Sequence, residues 1–224
     1  AGKKAGDFTH YGDQTLVLLE SLAESGGFDP AAFSRSWRDF FGGYDGYFDH
    51  ATTETLEGFS AGKGPGEAGS NSTDLGGAAR IAPIVLAYFD NPDAMVAAVR
   101  QQTAMTHRSE PVVRAAEFLA RVVHRVLSGK APDDAVTAVR EEGFARGDFG
   151  MWVEEGLSSA GRDTRSAVAG FGQHCGVMAA LPSVVHLVAR YPNDLKTALI
   201  ENVMAGGDSA ARGMAAAMIL GAQI

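Results

Sequence analysis

A single cysteine, Cys175, occurs among the 224 residues, which excludes an intramolecular disulfide and a cysteine cage for zinc. No apolar run approaches the roughly 20 residues that a membrane-spanning helix needs. Runs of Lys or Arg are also missing. The formal net charge is −8, the wrong sign for a partner with a phosphate backbone. Neither nucleic acid nor a membrane is an expected partner. A small anion is not excluded, because helix N-termini bind anions even on an acidic protein. Residues 1–9 contain Lys3 and Lys4 with no apolar stretch after them, so they do not read as a signal peptide. They are expected to be poorly ordered, and the chain to be cytoplasmic. Period-two alternation with β-branched residues is absent throughout.

What is present is a helical grammar that repeats along the chain. A helix from Thr15 stops at Gly26-Gly27, and Asp29-Pro30 supplies an N-cap and a first-turn proline for the next. Further helices are expected over 51–59, 78–88, 93–105, 111–127, 166–172, 177–189, 195–204 and 208–221, with a weaker pattern over 132–157. Residues 60–77 form one long irregular stretch, rich in glycine and serine. A loop of that length in a compact domain is functional or disordered. These features predict an all-α, compact single-domain bundle of about ten helices over residues 1–224. The segments around 177–181 and 214–222 are apolar nearly all round and should be central. Residues 111–127, with Arg114, Glu117, Arg121 and Arg125, should lie outside.

Two acidic motifs stand at helix entries: Tyr11-Gly-Asp-Gln-Thr15 before the first helix and Gly206-Gly-Asp-Ser-Ala210 before the last. Glycines allow close backbone approach, and carboxylate with hydroxyl oxygens suits a hard cation such as Mg²⁺. The plain alternative is that each Asp caps its own helix. The two uses compete for the same lone pairs.

The order and wording of these motifs resemble the ADP-ribosylglycohydrolase superfamily, nearest its J-crystallin and selenoprotein J branch. The likeness runs from about residue 11 to residue 222. Its carriers are Gly12-Asp13-Gln14-Thr15, Arg80-Ile-Ala-Pro83, Thr106-His107, and Gly206-Gly-Asp-Ser-Ala-Ala211 with Leu220-Gly-Ala222. The resemblance implies an all-α fold whose members hold two Mg²⁺ or Mn²⁺ ions and hydrolyse ADP-ribose linkages. The family's Thr-Asp-Asp-Thr motif reads here Gly12, Asp13, Gln14, Thr15. Its Asp-x-Asp-Thr motif reads Asp208, Ser209, Ala210, Ala211. Two carboxylates and two hydroxyls are thereby lost, and the family's opening helix has no counterpart in the sequence.

The resemblance therefore implies Asp13 and Asp208 as catalytic residues and as ligands for at most one Mg²⁺, with Thr15 and Ser209 as further ligands. Asn71, Ser72, Thr73 and Asp74 of the long loop, with His107, are the expected substrate-binding residues. The expected partner is ADP-ribose, free or linked to protein, and the sequence leaves the oligomeric state open. Asp45 and Asp49 read as a capped turn with solvated charges, His174-Cys175 as a capping histidine beside a buried cysteine, and Arg80 as one half of an ion pair. Three functions follow as expectations: a hydrolase with a reduced metal site, a catalytically silent binding module, or a crystallin-like structural protein.

Overall fold

The computed structural model describes residue 4 and residues 6–224. The expected poor order of the chain's start falls, for residues 1–3 and 5, outside the described residues. Among the described residues thirteen α-helices follow in order: α1 (His10–Ser25), α2 (Pro30–Gly42), α3 (His50–Ser60), α4 (Gly76–Ala79), α5 (Ala82–Ala87), α6 (Pro92–Thr106), α7 (Glu110–Leu127), α8 (Pro132–Val139), α9 (Gly147–Ser158), α10 (Thr164–Phe171), α11 (Val177–Arg190), α12 (Leu195–Met204) and α13 (Ser209–Gly221). No strand occurs among the described residues; two isolated bridges, Ser70 with His107 and Asp74 with Gly176, are the only sheet-like pairings there. The all-α expectation holds.

Side-chain capping sets several of the helix starts. Asp29 accepts from the amides of Ala31 and Ala32 at 2.7 and 3.0 Å, and Asn91, Asp163 and Asp194 do the same for α6, α10 and α12. Each bond satisfies an amide that has no partner within its own helix. The single helix expected over 78–88 is instead two short ones, α4 and α5, broken at Arg80-Ile81. Pro83 sits in the first turn of α5, where its missing N–H is harmless; inside one continuous helix it would be disruptive.

One large cluster fills the core, with Leu18, Trp37, Ile84, Phe118, Leu181, Val184 and Leu220 among its members. α11 and α13 are central, as their apolar bodies require. α7 is central too, and this corrects the expectation that it lies outside. Its Arg114, Glu117, Arg121 and Arg125 occupy one partly exposed stripe. On the rest of its circumference Val112, Ala115, Ala116, Phe118, Leu119 and Ala120 are buried. Alanine at three of those positions lets neighbouring helices approach closely.

The long loop is better anchored than its composition suggested. Its second half returns to the body through Ser70 N–H to Thr106 O at 2.9 Å, Leu75 N–H to Cys175 O at 2.9 Å and Val177 N–H to Thr73 O at 2.7 Å. Ala68, Ser70, Asp74 and Leu75 are buried. Main-chain hydrogen bonds hold this stretch, and they leave no trace in hydropathy.

Candidate functional site around the first turn of helix 1

The two acidic motifs meet at the N-terminal end of α1. Asp208 occupies the N-cap position of α13, yet its carboxylate makes no capping bond. Its Oδ2 instead accepts from the Tyr11 hydroxyl at 3.2 Å. Asp13 lies in the first turn of α1, whose N-cap residue is Thr9, and accepts from the Tyr44 hydroxyl at 2.7 Å. Neither carboxylate caps its own helix. Both are partly exposed.

The approach to Asp208 depends on two left-handed glycines, Gly206 (φ 73°) and Gly207 (φ 68°). A side chain on Gly207 would run into the carbonyl of Gln173, which accepts the Asp208 amide at 3.0 Å. Arg212, 2% exposed, holds the turn from inside. It donates to Asn202 Oδ1 at 2.6 Å and to Gly206 O at 2.8 Å.

Tyr11 is the hub. Its ring is buried against Ala79 and Ala211, and it passes over Gly76, where a Cβ would collide with it. Burial first, then the charges of Asp208, Asp74 and Asp49, hold its phenol well above the usual range. It remains a proton donor at any physiological pH. Cys175 lies within the same field: partial desolvation, then the charges of Asp74 and Asp208, raise its thiol. The cysteine is exposed rather than buried as expected, and a raised pKa makes it a poor nucleophile. His174 folds back to accept the Gly176 amide at 3.1 Å.

Two Asp–His pairs flank this hub. In the first, Asp74 Oδ1 takes His107 Nε2–H at 2.8 Å and the Gly76 amide at 2.8 Å, and Oδ2 takes the Ser72 hydroxyl at 2.6 Å. Burial pushes this carboxyl up, but those bonds and the His107 ring outweigh it and hold it well below the usual carboxylate range. The other ring nitrogen of His107 lies 2.8 Å from Thr106 Oγ1. In the second pair, Asp49 Oδ1 caps α3 through the Thr52 amide at 2.6 Å, and Oδ2 takes His10 Nε2–H at 3.0 Å. Burial opposes ionisation there as well, and the bonds from His10 and Thr52 again prevail. Asp49 is therefore a buried cap, not the solvated charge expected, whereas Asp45 is exposed.

Below the hub lies Arg80, 1% exposed. It has no ion-pair partner among the described residues, contrary to expectation. Nη1 donates to Gln14 Oε1 at 2.8 Å and Nη2 to the Thr106 hydroxyl. With its amide oxygen turned toward the guanidinium, Gln102 accepts from Nε at 3.0 Å. Burial lowers the guanidinium to about 10, with the charges of Asp49 and Asp74 limiting the fall. Neutral dipoles thus hold a buried cation beneath an acidic surface.

Not all the expected residues assemble. Asp74 and His107 reach the hub but are buried and bonded to each other; Asn71 and Thr73 are exposed on the loop above, with Ser72 between. Asp13 points to Tyr44, while Asp208, Asp74 and Asp49 share the neighbourhood of Tyr11. His10, Tyr44 and the role of Tyr11 carried no signal in the sequence, because their partners lie tens of residues or more away.

The donor set for a metal is poor. Gln14 is 1% exposed, and its oxygen already accepts from Arg80 and from Trp37 Nε1 at 2.9 Å. The Thr15 hydroxyl donates to Tyr11 O at 2.9 Å. Gly12, Thr15 and Ala210 line an apolar groove of about 480 Å³ with Phe8, Leu16 and Met214. Among the described residues no three His, Cys, Asp or Glu side chains are gathered to hold an ion. These residues do not fit a two-ion centre.

The profile of the family described as ADP-ribosylglycohydrolase matches residues 2–224. The chain belongs to the ADP-ribosylglycohydrolase family. A solved structure titled "ADP-ribosylglycohydrolase-related protein complex" is similar to it, with a TM-score of 0.73 and 28% identity over 97% of this chain and 71% of that one. No curated protein matches the chain by sequence. Membership accounts for the all-α fold. No helix among the described residues is long and apolar enough to cross a membrane.

Proposed function

We propose that this ADP-ribosylglycohydrolase homologue hydrolyses the glycosidic bond of an ADP-ribosylated substrate at the Tyr11 hub, without a resident two-metal centre. The observation that carries this reading is the release of Asp13 and Asp208 from capping. Both carboxylates stand at helix entries, partly exposed, and each accepts from a tyrosine hydroxyl. Bond cleavage at an anomeric carbon develops positive charge, and fixed carboxylates stabilise it where it forms. Asp208, set among Tyr11, Asp74 and Asp49, is the stronger candidate; Asp13 would serve the same end from the Tyr44 side. Asn71, Ser72 and Thr73 would border the bound ribose. Asp74 and His107, both closed off, would act as positioning residues. One hydrated Mg²⁺ against Asp13 or Asp208 is the most this donor set would support, and no step here runs through it. The single domain over residues 1–224 and a cytoplasmic setting are part of the same proposal.

A second reading, a binding module that has lost turnover, is favoured by one observation. Gln14 and Ala210 stand where the family's motifs carry carboxylates; Gln14 is bound to Arg80 and Trp37, and Ala210 lines an apolar groove. Thermal melts with ADP-ribose, together with a turnover assay, separate the readings, because a ligand specific for the native state raises its melting temperature. Stabilisation with release of ADP-ribose from a modified peptide supports the hydrolase. Stabilisation without release supports the module. Neither response leaves the crystallin-like role.

A further inference from the structure

The two Asp–His pairs beside Tyr11 look alike in outline and differ in one atom. In the Asp74–His107 pair both ring nitrogens are engaged, one by Asp74 and one by Thr106, and the residue is 2% exposed. That histidine is closed and can exchange a proton with nothing outside. In the Asp49–His10 pair only Nε2 is engaged. Nδ1 makes no hydrogen bond to any described residue and is not sealed from solvent.

The remainder of the His10 environment fixes its orientation. Its ring lies 3.9 Å from that of Tyr11 and 5.3 Å from that of Tyr47, centroid to centroid, the latter nearly perpendicular. Its side chain is 11% exposed, as is that of Asp49. Asp49 is itself immobilised, since its second oxygen caps α3. With Nε2–H donating to a carboxylate, the lone pair of the neutral imidazole is on Nδ1. A base held by a carboxylate on one side and open on the other is the recurring layout of general acid–base catalysis.

We propose that His10, oriented by Asp49, is the acid–base residue of this site; the proposal rests on the hydrolase reading above. His10 Nδ1 takes a proton from water while the water oxygen bonds to the anomeric carbon. The bond from that carbon to the leaving nitrogen or oxygen breaks, and its electron pair stays with the leaving group. The proton on Nδ1 is then passed to the leaving group, so ADP-ribose and the unmodified side chain are the products. Asp208 stabilises the cation-like carbon and does not need to carry the proton. The titratable groups facing His10 are Asp49 at the N-cap of α3, Tyr47 from the preceding loop and Tyr11 from its own helix, with Asp208 and Asp74 beyond Tyr11.

The test combines chemistry and kinetics. Diethyl pyrocarbonate, read by mass spectrometry, acylates accessible unprotonated imidazole nitrogen; His10 is expected to react at least tenfold faster than His107. Turnover is then measured on peptides carrying ADP-ribose on arginine, serine or glutamate. His10→Gln is expected to lower kcat on the order of 10²- to 10⁴-fold, with KM little changed, and to abolish the rise of rate with pH on the acidic limb. Asp49→Asn retains a side chain suited to the N-cap of α3; with its fold checked by circular dichroism, it should lower kcat at least tenfold and move that limb. Wild-type turnover that survives both substitutions overturns the assignment but leaves the hydrolase reading intact. No turnover of any peptide by the wild type overturns both. Protection of His10 from the reagent also overturns the assignment.

Discussion

The hydroxyl of Tyr11 donates to Oδ2 of Asp208 at 3.2 Å, joining the first turn of α1 to the entry of α13. The bond holds the Asp208 carboxylate, which makes no capping bond to its own helix. Tyr11→Phe removes the bond and keeps the ring in its apolar seat. Its loss of stability is expected to stay within about 1.5 kcal/mol, the range of one hydrogen bond. Turnover should fall more steeply, because Asp208 loses its orientation. Urea unfolding beside steady-state kinetics checks the contrast; equal, small losses in both would make Tyr11 merely structural.

Gly207 is expected to tolerate no side chain. Gly207→Ala places a Cβ against Gln173 O in a left-handed conformation, a strain of about 1–2 kcal/mol before any clash. A lower Tm and lost turnover, with the helix content by circular dichroism unchanged, are the expected results.

Restoring the family's acidic residues is not expected to restore a metal centre. In Gln14→Asp with Ala210→Asp, the first carboxylate would face buried Arg80 and the second an apolar groove. Calorimetric titration with Mg²⁺ or Mn²⁺ should show no gain in affinity over the parent. Two tight sites in the double mutant would mean that the cleft retains the family's geometry. Gln14→Leu, which leaves the Arg80 guanidinium and the Trp37 indole short of an acceptor, should destabilise by about 2–5 kcal/mol.

Acid should weaken the protein before its carboxylates titrate. His186 is 0% exposed, and burial, followed by Arg190, lowers it to about 4 from its ordinary 6.5. Its nitrogens contact Ser159 Oγ at 2.7 Å and Thr164 Oγ1 at 3.1 Å. A depressed histidine contributes stability that is complete above pH 6.5 and lost as pH falls toward 4. The window corresponds to about 3 kcal/mol. Urea midpoints across pH 4–7 should show the slope in the wild type and lose it in His186→Gln. Asp74 and Asp49, both depressed, add their losses below the usual carboxylate range.

Much of the fold was legible because caps and apolar faces are local. Asp29-Pro30, Asn91-Pro92 and the stop at Gly26 mark helix ends without knowledge of neighbours. Periodicity gives which face of α7 is apolar but not how many helices will cover it, so the stripe of Arg114, Glu117, Arg121 and Arg125 reads as the mark of an outer helix. The site was half legible. Asp13 and Asp208 stand in motifs, but only the fold shows that Tyr44 and Tyr11 hold them. Arg80 reads as half of an ion pair because a sequence does not reveal that Gln14, Gln102 and Thr106 converge on it. His10 gave no signal: its partner, Asp49, is 39 residues away.

The most direct measurement of the central claim is release of ADP-ribose from a modified peptide by the wild type and by Asp208→Asn, both with EDTA present. Asn keeps the size of the side chain and one oxygen able to accept from Tyr11, while the charge is lost and the other oxygen becomes an NH2 donor. The account predicts release by the wild type in EDTA and at least a 100-fold slower rate in Asp208→Asn. Release that needs Mg²⁺, or that proceeds equally in the variant, would contradict it.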